Sequence, residues 1–154
     1  MIDLFPFLGR MPEGVKIWVV PYNDSNALKI PLFESVKAGF PSPAEDYLDA
    51  CLDLNDLVIK HPAATFFVKV DGDSMIDVGI ESGDVLVVDR ALDPINTSIV
   101  VAIIDGDFTV KRIHKDKGQL FLVAENIGFD PIVITEEMDF QIWGVVTFVV
   151  HSLR

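Results

Sequence analysis

Ile99-Val100-Val101-Ala102-Ile103-Ile104-Asp105-Gly106-Asp107-Phe108-Thr109-Val110-Lys111-Arg112-Ile113 is a pair of β-branched and aromatic runs around a dipeptide that tolerates positive φ at both positions. Asp-Gly in that setting predicts a two-residue hairpin turn, joining a strand over Ile99–Ile104 to a second one from Asp107 to Ile113. Alternation along the second strand puts Thr109, Lys111 and Ile113 on one face, and Phe108, Val110 and Arg112 on the other. Two adjacent bases therefore point to opposite sides.

Working outward from the hairpin, the same signals recur. Thr65 to Val70, Val85 to Asp89, Gln119 to Val123, Ile132 to Ile134 and Phe140 to Val150 are short β-branched or aromatic runs separated by Gly, Pro, Asp and Asn. The fold class this predicts is mainly β. Upstream, Ser42-Pro43-Ala44-Glu45 is a capping box with Pro at the first helical position, which predicts one short helix starting at Pro43. Tyr47, Leu48, Cys51 and Leu52 would share one face of it, and Cys51 reads as a core residue. The first 38 residues carry Pro6, Pro12, Pro21 and Pro31 without sustained periodicity, so they read as an extended arm with no core of its own. The predicted organisation is an arm over 1–38 and a β domain over 39–154.

Charge divides the chain at the same place. Residues 1–38 hold four acids and four bases, so the whole formal charge of −12 lies from Gly39 onward. A surface so acidic excludes direct binding of duplex DNA, which depends on Lys and Arg neutralising phosphates. At 154 residues the chain makes about one domain, and with half its residues apolar it can bury a sizeable core. Cys51 is the only cysteine, so no internal disulfide exists and a reducing compartment fits. The N-terminus lacks the pattern of a signal peptide, and the most apolar stretch, Ile142 to Val150, is half the length of a membrane span. The expectation is a cytoplasmic protein without membrane contact.

At the junction itself stands Glu34-Ser35-Val36-Lys37-Ala38-Gly39-Phe40-Pro41-Ser42-Pro43. Ala38-Gly39 is ordinary as a flexible joint, and it is also what a protease with a shallow pocket would cut. Candidate chemistry lies downstream, in Asp71-Gly72-Asp73-Ser74-Met75-Ile76-Asp77. As a calcium loop it begins with Asp71 and Asp73 but fails at Met75 and Ile76, so no metal is expected. A serine hydroxyl becomes a useful nucleophile when a nearby base takes its proton. The three histidines are poorly placed for this. His61 precedes Pro62 in a loop, His114 sits among Arg112, Lys115 and Lys117, and His151 is close to the C-terminus. Lys111 is mid-strand, where desolvation can depress its pKa. Bringing a lysine from about 10.4 to about 7 costs on the order of 4 to 5 kcal/mol, which argues for a purpose. The alternative is a lysine that snorkels its ammonium to the surface.

Gly72-Asp73-Ser74-Met75 followed by Thr109-Val110-Lys111 resembles the Ser-Lys self-cleaving family of LexA, UmuD and the phage repressors. Gly39-Phe40-Pro41-Ser42-Pro43-Ala44, the run Val68 to Val88 and Gly144-Val145-Val146 are similar to the UmuD branch, and the resemblance covers roughly residues 31–154. It implies a LexA C-terminal-domain-like β fold and a serine endopeptidase that cuts its own chain at Ala38-Gly39. Ser74 would be the nucleophile and Lys111 the base, with oxyanion donors from the backbone of the turn formed by Gly72, Asp73 and Met75. Val36 is a candidate anchor, and no cofactor is called for. The resemblance further implies a DNA-damage (SOS) role: stimulation by the RecA filament on single-stranded DNA, dimerisation of the product from Gly39 onward, and association with a UmuC-like error-prone, translesion DNA polymerase. The strand Phe140 to Val150 reads equally as a dimer element or as core. Repressor activity is not expected, because the Pro-rich arm has no helical DNA-binding domain. A signal-peptidase-like enzyme would share Ser-Lys chemistry but needs a membrane anchor. The remaining alternative is a non-enzymatic dimerisation or polymerase-binding module with a relic dyad.

Overall fold

Asp105 and Gly106 adopt φ of 50° and 94°, the positive values that the hairpin turn needs, and Ile104 pairs with Asp107 across it. The computed structural model that shows this describes residues 30–33 and 48–154 of the chain. In order, the elements are β1 (Ile30–Phe33), β2 (Leu48–Leu52), α1 (Leu54–Val58), β3 (Thr65–Lys69), β4 (Val85–Asp89), β5 (Ile99–Ile104), β6 (Asp107–Asp116), β7 (Gln119–Val123), β8 (Ile132–Val133) and β9 (Phe140–Val150). A single 3-10 turn, Ile76–Val78, lies between β3 and β4. The protein is mainly β, as the sequence predicts.

β3 to β9 form one antiparallel sheet of seven strands in the order β3-β4-β9-β5-β6-β7-β8. β6 runs beyond the expected Ile113 because its second half pairs with β7, from Arg112 opposite Val123 to Asp116 opposite Gln119. A second positive-φ turn, at Lys117 (47°) and Gly118 (84°), closes that hairpin. The apolar run of β5 is continuous because both faces of the sheet are covered. Val101 enters one core with Met75, Ile80, Leu86, Val88 and Trp143, while Val100 and Ala102 enter the other with Ile113 and Leu122.

Trp143 organises the first core. Phe66 and Phe108 meet it edge-on with ring centroids at 4.6 and 4.8 Å, and the Arg90 guanidinium lies 5.4 Å from its ring centre. The next residue is Gly144, where a methyl group would stand 2.7 Å from Val88 Cγ1 and 3.2 Å from the Asp89 carbonyl oxygen. Glycine is therefore required for β9 to pass close to the end of β4.

Two expectations are corrected. The helix predicted from Pro43 does not continue through Leu48–Leu52, which form strand β2, antiparallel to β1; its first residues, 43–47, lie outside the described ones. The helix begins later, at Leu54, because the Asp53 carboxylate accepts from the backbone N–H of Asn55 at 2.8 Å and supplies the cap. Apolar residues at 48, 51 and 52 fit a strand as well as a helix over so short a run. Cys51 is accordingly exposed and not part of the core. β9 has β4 on one edge and β5 on the other, so it is central in the sheet. Its last residues, Phe148, Val149 and Val150, still keep over a third of their surface exposed. Among the described residues no helix is long and apolar enough to cross a membrane.

Replacing Gly144 by alanine is expected to destabilise the fold by about 1–3 kcal/mol, the range for overpacking a filled core. Urea unfolding followed by tryptophan fluorescence measures this, and an unchanged midpoint would contradict the close passage described above.

Candidate active site

The segment between β3 and β4 is a loop with a closed neck. Val70 N–H donates to the Asp84 carbonyl at 2.8 Å, and Gly83 N–H donates back to the Val70 carbonyl at 2.9 Å. Inside the loop Gly72 takes φ of 112°, a region that L side chains rarely adopt, and Gly79 caps the 3-10 turn at φ 74°. Met75 and Ile80 are buried to 2% and 1% exposure and anchor the loop in the Trp143 core. Ser74 immediately precedes the first anchor, so its hydroxyl is held by packing on one side and by the turn on the other.

Lys111 comes from β6, opposite Val100 of β5, while Thr109 stands opposite Ala102. Only 8% of Lys111 is exposed, so it is not a snorkelling surface lysine. Its Nζ lies 2.8 Å from Ser74 Oγ, 3.0 Å from Thr109 Oγ1 and 3.0 Å from the Val110 carbonyl oxygen. Among the described residues no carboxylate is within ion-pair distance of it. Desolvation therefore acts uncompensated and pushes the lysine pKa below its usual 10.5. In the neutral amine two N–H groups can serve Thr109 Oγ1 and the Val110 carbonyl, which leaves the lone pair for the Ser74 hydroxyl proton. The pair can thus transfer a proton from oxygen to nitrogen without any rearrangement of heavy atoms.

Both side chains line a groove of about 540 Å³ whose walls include Phe67, Val70, Phe108, Phe129 and Trp143. Gly72, Asp73 and Met75 line it too. The backbone N–H groups of Ser74 and Met75 meet no acceptor among the described residues. Ala38 and Gly39 lie outside the described residues, in the connection from β1 to β2.

The histidines are engaged elsewhere. His61 Nδ1 is 2.6 Å from Asp89 Oδ2, and His151 Nδ1 is 2.6 Å from Asp84 Oδ1. The hydrogen bond to Asp84 raises the His151 pKa, while Asp84 is held below the usual carboxylate range first by the Glu81 backbone N–H and then by His151. Residues that the sequence reading did not single out stand around the serine loop. Glu125 pairs with Arg112 and accepts from Asp77 N–H at 2.9 Å through its carbonyl, and Asn126 Nδ2 donates to the Asp73 carbonyl at 2.9 Å. The only local hint is an Asn close after a strand end and two residues before Gly128.

Comparison with known proteins follows the same lines. A family model described as Peptidase S24-like matches residues 31–147. The chain is 47% identical to Protein SamA of Salmonella typhimurium over 137 residues, covering 88% of this chain and 95% of that one. It is 44% identical to Protein MucA of Escherichia coli over 131 residues, covering 84% and 87%. It is also 39% identical to the LexA repressor of Photobacterium profundum over 134 residues, covering 87% of this chain and 67% of the repressor.

A lysine whose folded pKa is depressed binds fewer protons than in the unfolded chain between that pKa and 10.5, so its contribution to stability rises with pH over that window. Lys111→Met gives an unbranched side chain one heavy atom shorter, with no charge to desolvate. Its melting-temperature advantage over the parent should therefore shrink from pH 7 to pH 10.5. A gap that stays constant or widens, in calorimetry at several pH values, would contradict the uncompensated burial of Lys111.

Proposed function

The chain belongs to the Peptidase S24-like family, of the LexA and UmuD type, and from that membership we propose that it is a serine endopeptidase that cuts itself between Ala38 and Gly39. The observation that supports this most is the 2.8 Å approach of a buried, carboxylate-free lysine to Ser74 Oγ.

Neutral Lys111 takes the hydroxyl proton as Ser74 Oγ attacks the carbonyl carbon of Ala38. The negative charge that develops on the carbonyl oxygen is received by the backbone N–H groups of Ser74 and Met75, which meet no acceptor among the described residues. Collapse breaks the bond to Gly39 N, and Lys111 returns its proton to that leaving amine. Ser74 is then esterified by Ala38. A water molecule, deprotonated by Lys111, attacks the ester; the bond to Ser74 Oγ breaks, Lys111 returns the proton to that oxygen, and Ala38 leaves as a carboxylic acid that ionises into solvent. The two small residues at the cut let an extended segment lie close against the loop and β6, and a bulky residue at Ala38 blocks the approach.

A tethered substrate reaches an effective concentration in the millimolar range, so an unregulated site would destroy its own chain at once. Control therefore lies in how often the segment around Ala38-Gly39 docks. Following the resemblance to UmuD, the activator is the RecA filament on single-stranded DNA. The product from Gly39 onward acts as a dimer, as an accessory subunit of an error-prone DNA polymerase in DNA-damage mutagenesis. This route brings a chain of charge −12 to DNA through partners and not by its own surface.

Intact-mass measurement on the purified chain tests the proposal, at pH 7, at pH 10, and at pH 7 with RecA, single-stranded DNA and a nucleotide triphosphate. Two fragments meeting at Ala38 and Gly39 are expected at pH 10 and with the filament, and none in Ser74→Ala or Lys111→Ala. A parent chain uncut in every condition, or cutting that survives Ser74→Ala, would refute self-cleavage by this pair.

A further inference from the structure

The loop after β7 does more than connect it to β8. Asp77 N–H donates to the Glu125 carbonyl, and the Asn126 amide lies against the serine loop with its two ends engaged differently. Nδ2 donates to the Asp73 carbonyl at 2.9 Å, while Oδ1 accepts from the Gly128 N–H at 3.0 Å. These two partners fix the orientation of the amide, because a flipped one would face oxygen to oxygen and N–H to N–H.

The Asp73 carbonyl belongs to the same peptide unit as the Ser74 N–H. In a planar trans peptide the C=O and N–H bonds point in opposite directions, so holding one end aims the other. The carbonyl also accepts from Ile76 N–H, but at 3.3 Å, so the Asn126 bond is the shorter of the two. The Ser74 N–H, at the other end, has no acceptor among the described residues. Gly72, one residue before that peptide unit, takes φ 112°, in the region that glycine enters freely. A peptide unit in an irregular loop one residue from such a joint gains from an external hold if its N–H is to keep one direction.

We propose that Asn126 is a positioning residue, which clamps the Asp73–Ser74 peptide through Nδ2 so that the Ser74 N–H stays aimed at the oxyanion formed during attack on Ala38. This inference rests on the self-cleavage reading above. Asn126 touches no reacting atom; it acts through the peptide it holds. Preorganised donors of this kind matter because they meet charge where it develops, without reorganising at the moment of reaction.

Asn126→Asp is the sharpest probe, because it keeps the acceptor for Gly128 N–H and turns the donor toward Asp73 into an oxygen. Asn126→Ala serves as a second variant that adds no charge. The rate of self-cleavage at its alkaline plateau is expected to fall about 10- to 100-fold in both, somewhat less than the loss on deleting an oxyanion donor outright. In Asn126→Ala, which adds no charge near Lys111, the pH at which the rate rises should not move. Alkylation by iodoacetamide at Ser74→Cys, in a Cys51→Ser background because Cys51 is itself exposed, is a displacement that forms no oxyanion and should proceed within about two-fold of the same rate with and without Asn126→Ala. Plateau rates within two-fold of the parent would overturn the assignment. So would a fall in cleavage in Asn126→Ala matched by a fall in alkylation or by a shifted pH inflection, since Asn126 would then only hold the loop together. A parent chain that never cuts itself overturns this inference together with the reading beneath it, whereas a cutting parent with an unaffected variant overturns the clamp alone.

Discussion

Everything at the candidate site depends on burying one lysine without giving it a counter-charge. A carboxylate beside Lys111 would stabilise the ammonium and remove its ability to act as a base. Here the three neighbours of Nζ are two hydroxyls and a carbonyl, all neutral. Such a group is unfavourable in the folded state, and the rest of the sheet supplies the stability that retains it. β6 lies between β5 and β7, with Val100 directly across from Lys111, and Val100 is fully buried. The 23% of residues that are charged belong to a strongly acidic chain, yet none of the acids among the described residues reaches this amine.

The second requirement is a nucleophile that cannot drift. Met75 and Ile80 root the serine loop in the core, the Val70–Asp84 neck closes it, and the loop after β7 holds it from the far side through Glu125 and Asn126. Under the proposed self-cleavage, what must move is the segment around Ala38-Gly39. β1 and β2, which bracket residues 38 and 39, pair only over the short register from Ile30–Leu52 to Phe33–Leu48. A two-stranded sheet of that size is marginal in water, so its rearrangement costs little beside that of the seven-stranded sheet. A firmly held serine loop beside a marginal two-stranded sheet is what the proposed once-only, activated self-cleavage requires.

Local signals made most of the fold legible. Asp105-Gly106 carries its turn geometry in two residues, and the runs around it alternate or stay apolar according to which faces are covered. The faces of Thr109, Lys111 and Ile113 followed from that register, whereas the pairing of Ser74 with Lys111 came from the family resemblance. The misread helix shows the limit of local reasoning. Ser42-Pro43-Ala44-Glu45 has the composition of a helix start, yet Leu48–Leu52 gain more from pairing with Ile30–Phe33, and the cap is provided by Asp53, directly after that strand. Contacts between distant residues were not legible at all. Asn126 meets Asp73 across 53 positions, and His151 meets Asp84 across 67. No periodicity or motif encodes such pairs; only the order of the strands brings them together.

The most direct measurement is the titration of Lys111 itself, by NMR of its side chain in Ser74→Ala protein, compared with the pH dependence of self-cleavage in the parent. If a desolvated neutral lysine activates Ser74, Lys111 titrates below 10.5 and the cleavage rate rises through nearly the same pH. A lysine that titrates at its usual value, or a cleavage rate that is flat from pH 7 to pH 10 with the fold intact, would contradict it.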